Sequence, residues 1–368
     1  MSGILQHMPS PGATTAVVVG RAVPEVEPLI AAGESTLWIV DDEGWRMAPP
    51  ALRESGAARL VVDRFDRSGF AEVIETFLMR DMLRLPEVVV TAAIPEALGE
   101  RFAKVVDQLH AHYERNYRVR RTRQEEGARW QGQLLENVLD YMEWRLPRAW
   151  ENALAGIPAF VCGAGPSLDV TAPLIARRRS SAVLFAADTA LRTLARHGLQ
   201  ADFAVSVDAA KLPEKCLDDQ TEPRCAVLAS ISPPAWKEYV AGRFCFLSGR
   251  LVTEDWLADH GIPKTPFVVT ENCGITAIEL ARFLGCEPIL LFGMDMAADD
   301  ADPTRRHTGG ADATIDRGSG YRVDGAMPRV PGNYRETVPT FMYAEWVALN
   351  DKLAGWPPDL VFNVNDRG

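Results

Sequence analysis

The sequence predicts an α/β fold, with a doubly wound parallel sheet as its core, a smaller α/β unit in front and a helical connector between. Three observations predict it. Apolar runs of four to seven residues recur, each ending in Gly or Asp, as in AFVCG, AVLFAAD and LLFGMD; uninterrupted runs of this length mark strands buried on both faces. Helix-length segments stand between the runs, and in ITAIELARFLG the apolar residues fall on one helical face. The chain has 368 residues, too many for one small core.

From the N-terminus, AVVVG (Ala16 to Gly20), TLWIVD (Thr36 to Asp41), RLVVD (Arg59 to Asp63) and EVVVT (Glu87 to Thr91) read as strands separated by helix-length segments. They assign residues 1–92 to a small parallel-sheet domain. Gly20 follows a strand, but no GxGxxG surrounds it, so a scaffold or partner-docking role is the plainer reading. The strand signal then stops. Leu134, Leu135, Val138, Tyr141 and Met142 recur at helical spacing, and residues 93–155 form the predicted connector. Its run YERNYRVRRTRQEEGARW is Arg-rich, yet Glu114, Glu125 and Glu126 lie in or beside it, as on a solvated helix face.

Beyond Pro158 the alternation resumes. AFVCG, AVLFAAD, DFAVSVD, CAVLAS, FCFLS, FVVT and PILLFGMD are the predicted strands, in the rhythm of a Rossmann-like doubly wound sheet. Residues 156–300 are assigned to this core. Residues 301–368 are assigned to a lid loop followed by a helix and strand that complete it. The loop, MAADDADPTRRHTGGADATIDRGSGYRVDGAMPRV, is Gly-rich and aperiodic, as binding loops at a sheet rim are.

Composition bounds the function. Hydrophobic residues make up 47% and charged residues 24%, as in a packed protein. No apolar stretch is long enough to span a membrane and no signal sequence opens the chain, so a cytoplasmic protein without a membrane partner is expected. A net charge of −11 argues against nucleic acid as a partner, because phosphate backbones are held by Lys and Arg. The six cysteines show no CxxC pair or zinc spacing and read as reduced core thiols.

The candidate site starts at FVCGAGPSLD. Gly163, Ala164 and Gly165 follow a strand, and Pro166 and Ser167 open a helix, so bare backbone amides meet a helix N-terminus. Such a corner attracts phosphate, although glycines also serve plain tight turns. Asp188, Asp208 and Asp295 each follow a strand and share the same rim if the strands are parallel. They suit ribose or sugar hydroxyls, Mg²⁺ opposite a phosphate (Asp208 and Asp295 as the metal candidates), or helix caps. Asn272, Cys273 and Gly274 precede a second helix that faces the rim; Cys273 reads more readily as a small packing residue than as a nucleophile. In the loop, Arg305 and Arg306 stand beside His307, two cations next to a group that titrates near neutrality.

GAGPSLD, AADTALRTLARHG with QADFAVSVD, and CGITAIELARFLGCEPILLFGMDMA together resemble the motility accessory factor family, the flagellin glycosyltransferase-like proteins. Their shared domain also occurs in the archaeal 6-hydroxymethyl-7,8-dihydropterin diphosphokinases. The connector around Asn116, Trp130 and Asn137 resembles the helical lead-in of the same family, so the resemblance covers roughly Tyr113 to Ala298. A weaker similarity reaches bacterial sialyltransferases that use CMP-sialic acid. It implies nucleotide contacts at Gly163, Gly165, Pro166 and Ser167, with Asp188 and Asp208 flanking, His307 as general base, and Arg305 and Arg306 offsetting phosphate charge. Departures stand beside it: asparagines replace both aspartates in sialyltransferases, and an aromatic residue stands where Ala297 does here, leaving Tyr321 as the stand-in for a tyrosine that assists the leaving phosphate. Relatives usually continue past the point where VFNVNDRG ends, so the resemblance predicts further chain there.

The resemblance implies a glycosyltransferase passing a nonulosonic, sialic-acid-like sugar from a CMP-sugar donor to a glycan or a flagellin-like protein acceptor presented by the N-terminal domain. The alternative is an ATP- and Mg²⁺-dependent diphosphokinase. A nucleotide-binding assembly factor without catalysis is the third reading.

Overall fold

The structure, a computed structural model, describes residues 16–64, 88–217, 222–240, 242–270, 272–298, 305–311, 330–331, 336–337, 345, 349–350 and 352–365, with backbone alone at 34, 64, 88–90, 107–108, 110–121, 330–331 and 336–337. It divides into two compact units, Met1–Arg123 and Gln124–Gly368.

In the first unit, β1 (Ala16–Val19), β2 (Thr36–Val40), β3 (Ala58–Val61) and β4 (Val88–Thr91) form a parallel sheet in the order β3-β2-β1-β4. Short helices α1 (Glu27–Ala31), α2 (Asp42–Met47) and α3 (Pro50–Arg53) connect β1 to β2 and β2 to β3. Side chains alternate between two buried faces, which is why the strands read as continuous apolar runs. Val17, Val19, Leu37 and Ile39 pack with Phe102, Val105 and Leu109; Ala16, Val18, Trp38 and Val40 pack with Leu29, Ile30 and Leu52. The segment between β3 and β4 lies outside the described residues.

Within residues 93–155 runs one long helix, α4 (Gly99–Glu143), and the boundary between units falls within it.

The second unit is a seven-stranded, wholly parallel sheet: β5 (Ala159–Cys162), β6 (Val183–Ala187), β7 (Phe203–Ser206), β8 (Cys225–Ala229), β9 (Phe244–Leu247), β10 (Ile289–Phe292) and, after a short antiparallel pair β11 (Val330–Pro331) and β12 (Glu336–Thr337), β13 (Val361–Asn363). Its order is β13-β10-β5-β6-β7-β8-β9. The chain steps outward from β5 to β9 and then crosses back to lay β10 on the other side of β5. That reversal puts a switch point at the carboxyl ends of β5 and β10, where open α/β sheets bind ligands.

Helices α5 (Ser167–Arg178) and α6 (Leu191–Arg196) follow β5 and β6; α7 (Trp236–Tyr239) and α8 (Val252–Asp259) follow β8 and β9; α9 (Cys273–Phe283) precedes β10. One face of the sheet buries Val161, Phe185, Val205 and Leu291 against Ile275, Ile278 and Leu280 of α9. The other buries Cys162, Leu184, Ala186 and Phe246 with Leu168 and Ile175 of α5 and Leu134 and Tyr141 of α4.

One predicted strand is corrected. FVVT makes a single parallel bridge, Ser248 with Val268, rather than a strand. Its neighbourhood is engaged by hydroxyls instead: Thr265 Oγ1 donates to the Phe267 carbonyl, and the Thr270 amide donates to Thr276 Oγ1. Hydroxyl bonds of this kind compete with a strand ladder.

The loops after β5 and β10 touch backbone to backbone. Gly163 N–H donates to the Phe292 carbonyl at 2.8 Å and Gly165 N–H to the Gly293 carbonyl at 2.7 Å. A Cβ on Gly163 would stand 2.5 Å from the Gly293 oxygen. Gly163→Ala is therefore expected to destabilise the second unit by roughly 1–3 kcal/mol through overpacking against backbone that cannot yield. Thermal unfolding should show it as a lowered Tm, and an unchanged Tm would mean that the loops separate freely.

Candidate functional site

The Gly corner, the three aspartates and Asn272–Gly274 sit where strand ends and helix starts place them, and Arg305, Arg306 and His307 sit in a loop. Asp295, three residues after β10, reaches across the switch point: its carboxylate accepts the Ser167 amide at 2.9 Å and also the Ser167 hydroxyl. A buried carboxylate thus caps the N-terminus of α5, where free amides and the helix dipole favour negative charge. Gly165 lies so close to this carboxylate that a side chain there would collide with it. In this structure the bare backbone of the corner accommodates the neighbouring loop, and the Ser167 donors are engaged by the protein's own anion. Any ligand phosphate reaching Ser167 must share them with Asp295.

Asp188 follows β6 and is buried. Its Oδ1 accepts the Thr189 amide at 2.6 Å and the Thr189 hydroxyl at 3.0 Å; its Oδ2 accepts the Ser206 hydroxyl at 2.9 Å and the Cys273 thiol at 3.4 Å. Four donors fill the capacity of a carboxylate. Lys211, a residue that sequence reasoning did not single out, lies beside it with Nζ 3.9 Å from Asp188 Oδ1 and donating to Thr189 Oγ1 at 2.8 Å. Burial alone would push this ammonium towards neutrality, but Asp188 above all holds its pKa higher than that of a free lysine.

Asp208 is exposed and accepts the Ala210 amide at 2.8 Å, a local turn contact. Asp208 and Asp295 follow strands three places apart in the sheet, about 14 Å at the spacing of neighbouring strands. One divalent cation, with oxygen ligands within about 2.6 Å, does not span that gap. Among the described residues no group of three or more His, Cys, Asp or Glu side chains is arranged to hold a metal.

At the start of α9, the Asn272 side chain accepts the Ile275 amide at 2.9 Å, an N-cap, while its Nδ2 is buried without a partner. Gly274 is tight because Met294 would meet any side chain there. Cys273 has its thiol pKa pushed well up, first by burial and next by Asp188, and it donates to that carboxylate. It is a protonated packing and hydrogen-bonding group. All six cysteines are free thiols.

The described piece of the loop, residues 305–311, is docked onto the same corner. The Thr308 amide donates to the Ala164 carbonyl at 2.8 Å. Asp169 gathers the rest, pairing with Arg305, accepting the Thr308 hydroxyl, and accepting the Gly309 amide at 3.0 and 3.1 Å. Thr193 bonds Thr308 at 2.7 Å and Arg196 donates to the Gly309 carbonyl at 2.9 Å. Arg305 is thus a loop anchor, with Nε also bonded to the His307 carbonyl at 3.2 Å. Arg306 is buried, and His307 is half-buried between residues fixed to the corner. Tyr321 lies outside the described residues.

Sequence reasoning missed Asp169 and Lys211. Asp169 stands in the quoted corner motif, two residues after Ser167, where an acidic residue in a first helical turn also reads as dipole compensation. Lys211 had one signal, its place three residues after a strand-end aspartate.

Residues 133–301 match the model of the family described as MptE-like, 6-hydroxymethylpterin diphosphokinase MptE-like. This segment resembles an MptE-like domain. It begins inside α4 and ends after Asp295, so it takes in every strand of the second sheet from β5 to β10. Among solved structures, the fold resembles the Maf glycosyltransferase of Magnetospirillum magneticum AMB-1, with a TM-score of 0.51 and 18% identity over 95% of this chain. The chain spans 55% of that protein's length. No curated protein matches by sequence.

Two outcomes are expected of the rim of the second sheet. Asp169→Ala should release the loop, and limited proteolysis should then cut at Arg305 or Arg306 at least several-fold faster than in the parent, with the Gly corner still folded. Cys273→Ala should leave any activity within about threefold, since its thiol is held protonated near neutrality; alkylation at pH 7 should spare this position.

Proposed function

We propose that the protein is a glycosyltransferase-like enzyme that passes a nonulosonic, sialic-acid-like sugar from a CMP donor to a protein or glycan acceptor. The observation that carries this reading is the docking of the His307 loop onto the corner after β5 through Asp169 and the Ala164 carbonyl. The backbone of the residue after His307 is bonded at the switch point of the sheet, which supports a proton-accepting role for this imidazole. The fold shared with a Maf glycosyltransferase supports the same class.

In this mechanism an acceptor hydroxyl attacks the anomeric carbon of the sugar. His307 takes the hydroxyl proton as the new C–O bond forms, and CMP leaves with the electrons of the bond it shared with that carbon. The reading also accounts for Asp295. A triphosphate tail brought to Ser167 would stand against a buried carboxylate, while a CMP-sugar phosphodiester brings less charge to the same place.

The MptE-like family favours a second reading, pyrophosphate transfer from ATP to a hydroxymethylpterin with Mg²⁺. Asp188, with four donors, and Asp295, on Ser167, are already engaged as carboxylates, which leaves Asp208 as the exposed metal candidate.

Thermal shift with CMP, ATP and GTP, each with and without Mg²⁺, separates the two. CMP is expected to raise Tm without metal; stabilisation by ATP with Mg²⁺ alone would establish the kinase reading instead. His307→Ala should lower sugar transfer by about 10²–10⁴-fold, the usual worth of a general base, with CMP affinity largely kept. Unchanged turnover would remove His307 from the mechanism.

A further inference from the structure

Three strand-end aspartates on one rim look, in the sequence, like a negative surface that needs a metal before it can accept a phosphate. The geometry at β6 is different. Asp188 is 2% exposed and its oxygens are taken by Thr189, Ser206 and Cys273, so its charge is turned inwards. The Lys211 side chain is 16% exposed. Among the described residues its one hydrogen bond is to Thr189 Oγ1, whose own proton goes to Asp188. An ammonium has three donors, so two remain for a group at the rim. The lysine is fixed there by the Trp236 indole, which donates to the Lys211 carbonyl at 2.9 Å. Asn272 Nδ2, buried and without a partner, belongs to the residue beside the thiol that bonds Asp188.

We propose that Lys211 is a phosphate-binding residue that takes the part a divalent cation would otherwise play, so that the rim beyond β6 holds the nucleotide phosphate without metal. This deepens the CMP-sugar reading and rests on it for the identity of the nucleotide. The pair is built for the purpose. A lone buried lysine would lose its proton, and a lone buried aspartate would repel the ligand; together the aspartate keeps the ammonium charged while the ammonium faces the ligand. A lysine suits this use as a compact point charge on a flexible stem. The three-dimensional placement also separates two tasks: Ser167 and Asp295 lock the corner, and Lys211 meets the anion.

The test is titration calorimetry with CMP, cytidine and inorganic pyrophosphate, in EDTA and again in Mg²⁺, on the full chain and on three variants. The parent should bind CMP equally with and without Mg²⁺. Lys211→Met should weaken CMP about 10–100-fold, the worth of a charge-assisted hydrogen bond, and leave cytidine unchanged, because cytidine carries no phosphate. Asp188→Asn should also weaken CMP binding, increasingly as pH rises, because the buried lysine is then left without the carboxylate that keeps it charged. Should Lys211→Met fail to fold with Asp188 left uncompensated, the neutral double variant Asp188→Asn/Lys211→Met decides, with the same selective loss of CMP expected. CMP binding that is unchanged in the lysine variants, or that needs Mg²⁺ in the parent, would overturn the proposal and leave the CMP reading standing. Pyrophosphate binding that depends on Lys211, with neither CMP nor cytidine bound, would uphold the lysine site and sink the CMP reading. A parent that binds no anion would overturn both.

Discussion

The contact on which the second unit depends is the seat of the Asp295 carboxylate on the first turn of α5. It joins the neighbouring strands β5 and β10 at the ends where the winding reverses. The approach is close because Gly163, Gly165 and Gly293 carry no side chains, and Gly293 has a φ of +61°, a conformation costly for any other residue. With β5 and β10 locked together, α5 has a satisfied N-terminus and a fixed axis. Asp169 then projects from the next part of the same turn, and its carboxylate holds Arg305, Thr308 and Gly309. The loop bearing His307 is therefore positioned by a chain of contacts that starts at β10.

The strands of both sheets were legible because parallel strands are buried on two faces and leave unbroken apolar runs. FVVT has the same composition, but hydroxyl bonds close in sequence, Thr265 to the Phe267 carbonyl and the Thr270 amide to Thr276, compete with its ladder, and an apolar run does not report them. The Gly corner was legible as a place of close approach. Its spacing could not say what approaches, and the structure puts the Gly293 carbonyl and the Asp295 carboxylate there. Asp188 was legible as a rim carboxylate, but its charge was not, because the sign of the surface it leaves depends on Lys211, brought to it by the fold from beyond the next strand.

Helix α4 shows a further relation between sequence period and sheet geometry. Gln133 donates to the Ala209 carbonyl at 3.0 Å, Asn137 to the Ser230 and Ser232 carbonyls at 3.0 and 2.8 Å, and Tyr141 shares a 2.6 Å bond with Ser248. These partners lie just past β7, β8 and β9 in turn. Residues four apart advance about 6 Å along a helix, while neighbouring strands are about 4.8 Å apart. A helix crossing the strand ends obliquely can therefore set one polar rung on each. This is why a face that looks merely amphipathic carries Gln and Asn among its apolar positions.

That arrangement also decides where chemistry is placed. With α4 bound across the ends of β7, β8 and β9, the ends of β10, β5 and β6 are left to the loops, and these loops carry Asp295, the Gly corner, Asp188 and the docked Arg305–Gly310 segment. The two buried carboxylates there are both engaged internally, Asp295 on the α5 amide and hydroxyl and Asp188 on its four donors with Lys211 alongside. Among the described residues of a chain with a net charge of −11, these two buried carboxylates are thus turned away from the exposed side of the switch point. Long-range attraction for an anion is weak in such a protein because its overall field repels one, so the short-range geometry of the ammonium and the amides has to supply the binding.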